Sequence, residues 1–153
     1  DALSGDLTLA FSIFRLSETG LTGIMDCRVP ICADEAFLRK GLEATFGPTC
    51  LKIMDWTYSP PHHVPADSPF IQTLLSCYTE VTGKTGDPIA IGGGTYVHSL
   101  KNGVAYGCEL QGEDRRMHGP DEFAVLAELL ESARIFARVI VRLCGPQAGS
   151  EPG

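Results

Sequence analysis

Residues 7–15, LTLAFSIFR, and 21–29, LTGIMDCRV, are rich in apolar side chains and threonine, and Ser17, Glu18, Thr19 and Gly20 supply turn chemistry between them. Together they predict a β-hairpin. After Pro30, Phe37, Leu38, Leu42 and Phe46 recur at helical spacing across 34–46, and Gly47-Pro48 stops the pattern, so a helix is predicted there. Residues 50–58, CLKIMDWTY, return to strand character. The first 58 residues therefore read β-β-α-β, with mainly antiparallel pairing. The aperiodic stretch SPPHHVPAD, 59–67, holds three prolines and marks a boundary between lobes.

From Ser68 the pattern changes. Phe70, Ile71, Leu74, Leu75 and Tyr78 predict a helix facing inward, capped by Asp67 or Ser68 and ended by Gly83. A short strand at 88–91, a triple glycine, one or two helical turns, a strand at 103–110 and a polar loop follow. The last helix, about 127–144, carries Leu129, Leu130, Ala133, Phe136, Ala137 and Ile140 at three- and four-residue spacing, which predicts its inward face. This second lobe reads α-β-α-β-α, part of a sheet covered by helices. The fold class is α/β or α+β.

With 44% hydrophobic residues in 153, the chain can bury one good core or two small ones. The formal charge of −7 and the lack of a Lys/Arg run exclude an electrostatic nucleic-acid surface and make anionic membranes poor partners. No apolar run is long enough to span a bilayer, and residues 1–6 lack the features of a signal peptide. Six cysteines, Cys27, Cys32, Cys50, Cys77, Cys108 and Cys144, form no CxxC pair and sit mostly in apolar runs. They read as reduced, buried thiols of a cytoplasmic protein. The tail GPQAGSEPG reads as disordered.

Three sets of residues carry candidate chemistry. Gly92, Gly93 and Gly94, with Thr95, lie between a predicted strand and a helical turn. They read either as a tight turn without a ligand or as an anion-binding loop suited to a carboxylate or phosphate. Arg28, two residues from Asp26, reads either as half of a surface ion pair or as a bidentate clamp for a carboxylate. His118 stands in the polar loop 113–122, where Asp121 or Glu122 is placed to fix its tautomer. By spacing alone it reads as a solvated loop histidine, because zinc requires three or four ligands and no HxxxH partner is present. His62 and His63 read as solvated, and His98 as a ligand-facing residue or a cap.

Taken in order, the phrases DCRVP, VPADSPFIQTLLSCYTEVTG, IGGGTYVH, NGVAYG and MHGPDEF resemble the C-terminal part of the co-catalytic zinc peptidases. That family includes bacterial dipeptidase V, carnosinases, aminoacylases, glutamate carboxypeptidases and succinyl-diaminopimelate desuccinylase. The resemblance spans roughly residues 7–144 and is closest to the dipeptidase V branch.

The resemblance implies a domain plan. Residues 1–62 correspond to the β-β-α-β half of a lid domain, residues 63–146 to the C-terminal part of an α/β/α catalytic domain, and 147–153 to a flexible tail. It also implies roles: His118 as a zinc ligand with Asp121 and Glu122 beside it, Arg28 as the clamp on the substrate carboxylate, and Gly93, Gly94, Thr95 and His98 as lining of the same pocket. Many relatives carry Arg at the position of His98 and Asn at that of Asp121.

The family reaction uses two zinc ions held by an HxD phrase, a bridging aspartate and a Glu-Glu pair whose first member is the general base, and this chain contains none of these. The expectation is thus a fragment, or one piece of a split protein, that binds zinc weakly at most and is inactive until a missing N-terminal catalytic portion is supplied. Its implied substrate is a dipeptide or related N-acyl amino acid. The alternative is a non-catalytic binding or assembly module, self-associating as a homodimer through an exposed strand edge at 7–29 or 50–58. A third reading is an anion-binding domain using Gly92 to Thr95.

Overall fold

The computed structural model describes residues 1–107 and 114–145. In chain order it contains β1 (Thr8–Ser17), β2 (Gly20–Arg28), α1 (Glu35–Phe46), α2 (Pro69–Thr82), a short 3-10 turn (Tyr96–Ser99) and α3 (Leu126–Cys144). Strands and helices are mixed, with the strands paired antiparallel, as in an α+β domain. The chain divides into two compact units, one formed by Asp1–His63 with Ile89–His98 and the other by Val64–Pro88 with the described residues from Ser99 onward.

In the first unit β1 and β2 pair antiparallel from Thr8↔Arg28 to Ser17↔Gly20, leaving Glu18 and Thr19 as a two-residue loop. The loop is fastened by Ser17 Oγ, which donates to the Gly20 carbonyl at 3.1 Å. A register shift lies between Phe11 and Ile13, where Ser12 Oγ donates to the Ile24 carbonyl at 3.3 Å. All ten β1 residues are exposed.

Helix α1 begins where Asp34 Oδ1 accepts the Phe37 N–H at 2.8 Å, satisfying one of the orphan donors of a helix start. Leu38 and Leu42 are its buried stripe, beside Ala33, while Phe37 is 64% exposed. Phe37 thus departs from the predicted inward face.

The predicted strand at 50–58 is not formed. The segment runs as irregular chain, because strand character in the side chains does not supply a neighbouring strand for the backbone ladder. Side chains hold it instead. Trp56 Nε1–H donates to Glu35 Oε1 at 2.7 Å, and the Arg39 guanidinium lies 4.8 Å from the Trp56 ring centroid. The predicted strand at 88–91 is likewise irregular, as is 103–107, while the rest of the predicted strand to 110 lies outside the described residues.

In the second unit Ser68 Oγ accepts the Ile71 N–H at 3.4 Å at the start of α2, Pro69 takes the first helical position, and Gly83 ends the helix at φ +69°. Ile71, Leu74 and Cys77 of α2 form the core with Val139 of α3, and Val64, Phe70, Leu75, Val104 and Tyr106 pack around it. Fully burying a side chain of the Leu or Ile class stabilises by roughly 1.5–3 kcal/mol.

Two polar devices frame this core. Tyr106 Oη donates to the Leu74 carbonyl at 2.7 Å, and its ring meets Phe136 edge-on at 5.4 Å. Burial first, then the neighbouring Cys77 and Tyr78, push the Tyr106 phenol up to about 12. On the helix surfaces Glu80 accepts from Arg142 at 2.7 and 3.1 Å and forms an ion pair with Arg138 at 2.6 Å, which joins α2 to α3. The Arg142 hydrogen bond above all holds the Glu80 carboxyl below its ordinary value.

The buried face of α3 differs from the prediction. Ser132, Ile135 and Val139 are buried, while Leu129, Leu130, Phe136 and Ile140 are 43%, 57%, 40% and 60% exposed. Apolar residues lie on more than one side of α3, so the richest stripe in the sequence is not the one that meets α2. The cysteines differ too. Cys77 is buried and Cys27 half-buried, but Cys32, Cys50 and Cys144 are exposed, and Cys108 lies outside the described residues, as does the tail from 146. Among the described residues no helix is long and apolar enough to cross a membrane.

Candidate functional site

The candidate residues fall into two groups, one in each unit. In the first unit Arg28 is the last residue of β2, and its Nη1–H donates to the Gly92 carbonyl oxygen at 2.5 Å. A contact across 64 positions thus ties the strand arginine to the glycine loop. Arg28 is exposed, and a guanidinium carries five N–H donors, so it can meet a second acceptor from solvent. Gly92 sits close against the arginine stem, since a Cβ there would lie 4.0 Å from Arg28 Cγ. Gly93 and Gly94 face open space.

Thr95 is half-buried and immediately precedes the 3-10 turn, its carbonyl accepting the His98 N–H at 3.1 Å. A four-residue turn has too small a dipole to bind an anion by itself, which limits the reading of the glycines as an independent anion loop. His98 lies within this turn, half-buried, with Nε2 2.9 Å from Ser59 Oγ and its ring centroid 5.7 Å from that of His62. His62 is therefore half-buried rather than solvated. Ser59 and His62 were not marked by any motif, and no sequence signal links them to His98 across 39 and 36 positions.

In the second unit His118 is exposed on the loop preceding α3, at φ +63°. Arg116 and Asp121 share this left-handed backbone, at φ +57° and +59°. Such a conformation costs a residue with a Cβ about 1–2 kcal/mol. Three of them within six residues make a loop held against local preference. Gly119 is needed for a different reason: its N–H reaches the Arg116 carbonyl at 2.7 Å, and a Cβ there would lie 2.9 Å from that oxygen.

The carboxylate of Glu122 accepts the main-chain N–H of His118 at 3.2 Å, and Asp121 pairs with Arg116 at 3.5 Å. The two acids thus order the backbone around the histidine. Among the described residues no three His, Cys, Asp or Glu side chains gather as a metal site. Zinc takes three or four ligands, so these residues do not fit a zinc centre by themselves. His118 offers one exposed imidazole.

Two comparisons bear on this arrangement. Residues 11–142 match the model of peptidase family M20/M25/M40. The chain is 37% identical over 145 residues to a Bacillus subtilis (strain 168) protein named "Putative dipeptidase YtjP", and 35% identical over 148 residues to the Beta-Ala-Xaa dipeptidase of Lactobacillus delbrueckii subsp. lactis. Each alignment covers 94% of this chain and 30% of the relative, so the chain spans less than a third of the length of either. A match over most of its residues decides the assignment: the chain belongs to peptidase family M20/M25/M40.

Proposed function

We propose that this chain contributes a carboxylate-recognising wall and one metal ligand to a zinc dipeptidase, whose general base and remaining ligands lie in a separate N-terminal portion. A dipeptide or N-acyl amino acid ends in a free carboxylate. Arg28, exposed and steadied by Gly92, meets that carboxylate with Gly93, Gly94 and Thr95 alongside, and His98 donates a further hydrogen bond. His118 supplies the imidazole to zinc. The chain alone then binds zinc weakly and does not hydrolyse peptides.

The observation that carries this reading is the Arg28–Gly92 hydrogen bond, which joins the strand arginine to the glycine loop in one unit. An arginine anchored through one N–H retains the planar fork for a carboxylate and loses less side-chain entropy on binding. The dipeptidase names of both relatives agree with the substrate class. A cytoplasmic location belongs to the same proposal and agrees with the free thiols of the five described cysteines.

The test is reconstitution: the N-terminal portion is supplied in trans with zinc, and hydrolysis of β-Ala-Xaa and α-dipeptides is followed. Absence of hydrolysis in a complex verified by sedimentation contradicts the proposal.

A second reading has an observation of its own. The hairpin exposes Leu9, Phe11, Phe14, Leu16 and Ile24, which suits an assembly module that pairs through strand edges. Sedimentation of the isolated chain separates the two, because this reading requires a concentration-dependent dimer without hydrolysis in any complex.

A further inference from the structure

The loop that carries His118 is closed at its base by one residue that no motif marks. Arg115 is buried, 8% exposed, immediately before the left-handed Arg116. Its Nη2–H donates to Glu128 Oε1 at 2.6 Å in the first turn of α3. Its guanidinium carbon lies 5.3 Å from the centroid of the Phe123 ring, and its carbonyl accepts the Phe123 N–H at 3.4 Å. Side chain and main chain of Arg115 therefore both hold Phe123, at opposite ends of the segment 116–122.

We propose that Arg115 is a positioning residue: through Glu128 and Phe123 it clamps the base of the loop and keeps His118 in its outward, left-handed setting. Besides the Gly119–Arg116 main-chain bond, the loop's own side-chain contacts are weak candidates for that task. The Arg116–Asp121 pair is exposed, with side chains 57% and 86% accessible, and exposed pairs contribute little. Glu122 reaches the His118 N–H at a long 3.2 Å. The Arg115–Glu128 contact is short and screened from solvent, and its acid belongs to the first turn of α3 rather than to the loop. Three left-handed residues persist only when something outside them holds the chain, and Arg115 is placed to do so.

What the loop is for rests on the reading of His118 as a metal ligand; the clamp itself does not. The experiment is amide hydrogen exchange on the full chain, comparing the native protein with Arg115→Met, Arg115→Lys and Glu128→Gln. Met keeps the apolar stem and removes the charge. The Gly119 and Phe123 amides are expected to exchange at least about tenfold faster in Arg115→Met, the size that follows from losing a charge-assisted hydrogen bond, with interior α2 amides unchanged. Arg115→Lys recovers most of the protection, and Glu128→Gln loosens the same amides.

Unchanged Gly119 and Phe123 rates in Arg115→Met overturn the clamp, and so does equal loosening in Met and Lys. If Arg115→Met exposes α2 as well, Glu128→Gln decides, and unchanged loop rates there overturn the clamp. His118→Ala in the reconstituted enzyme tests the other reading separately. Unaltered activity there removes the metal-ligand role and leaves the exchange result standing.

Discussion

The guanidinium of Arg28 and the carbonyl of Gly92 are joined by a 2.5 Å hydrogen bond that links the end of a strand to a glycine loop 64 residues later. In isolation each partner had an ordinary explanation, a surface arginine and a tight turn. Their contact joins the strand arginine to the glycine loop.

Arg28→Ala in the reconstituted enzyme is expected to raise KM about 10- to 100-fold with a smaller change in kcat, since a charge-assisted hydrogen bond contributes roughly 1.5–3 kcal/mol. Arg28→Lys is expected to recover little, because an ammonium does not reproduce the fork. Steady-state kinetics on a dipeptide and its C-terminal amide check the assignment. The native enzyme should discriminate between them, and the alanine variant should not.

Thiol reactivity should divide by burial. Alkylation of the native chain, read by mass spectrometry, is expected to label Cys32, Cys50 and Cys144 first and Cys77 only after unfolding. Cys27 should be slow, because burial, and then the charge of Asp26, raise its thiol above the ordinary value. Rapid labelling of Cys77 would contradict the α2–α3 core.

Tyr106 gives that core a pH dependence. Its proton is held up to about 12, while an unfolded tyrosine releases it near 10, so between these values the unfolded state binds fewer protons and stability falls as pH rises. Urea denaturation should show this decline above about pH 10 in the native chain and a weaker one in Tyr106→Phe. At neutral pH the substitution should cost about 1 kcal/mol through the lost bond to the Leu74 carbonyl.

Local signals carried the hairpin and the helices. Ser17 to Gly20 between two apolar runs places the turn, and Ser68 and Gly83 bracket α2. What depends on a distant partner was less legible. The strand expected at 50–58 has the right side chains but no ladder, and its Trp56 instead reaches Glu35. In α3 a helix apolar on several sides gave no indication that Val139, rather than Leu130 and Ile140, would join the α2 core.

The candidate residues divide in the same way. Arg28, the glycines and His118 could be picked out through phrases of local sequence. Arg115 could not, because its meaning lies in Glu128 and Phe123, which no spacing rule connects to it.

We propose this chain as one part of a zinc dipeptidase that it completes through Arg28 and His118. The most direct measurement is zinc-dependent hydrolysis of a dipeptide by the chain mixed with the N-terminal portion, alongside His118→Ala. The expected result is no activity from the chain alone, activity from the verified complex, and a loss of at least about a hundredfold in both activity and zinc affinity in the variant, in keeping with removal of a metal ligand. A verified complex that fails to hydrolyse the dipeptide, or one in which His118→Ala binds zinc and turns over as the native chain does, would contradict it.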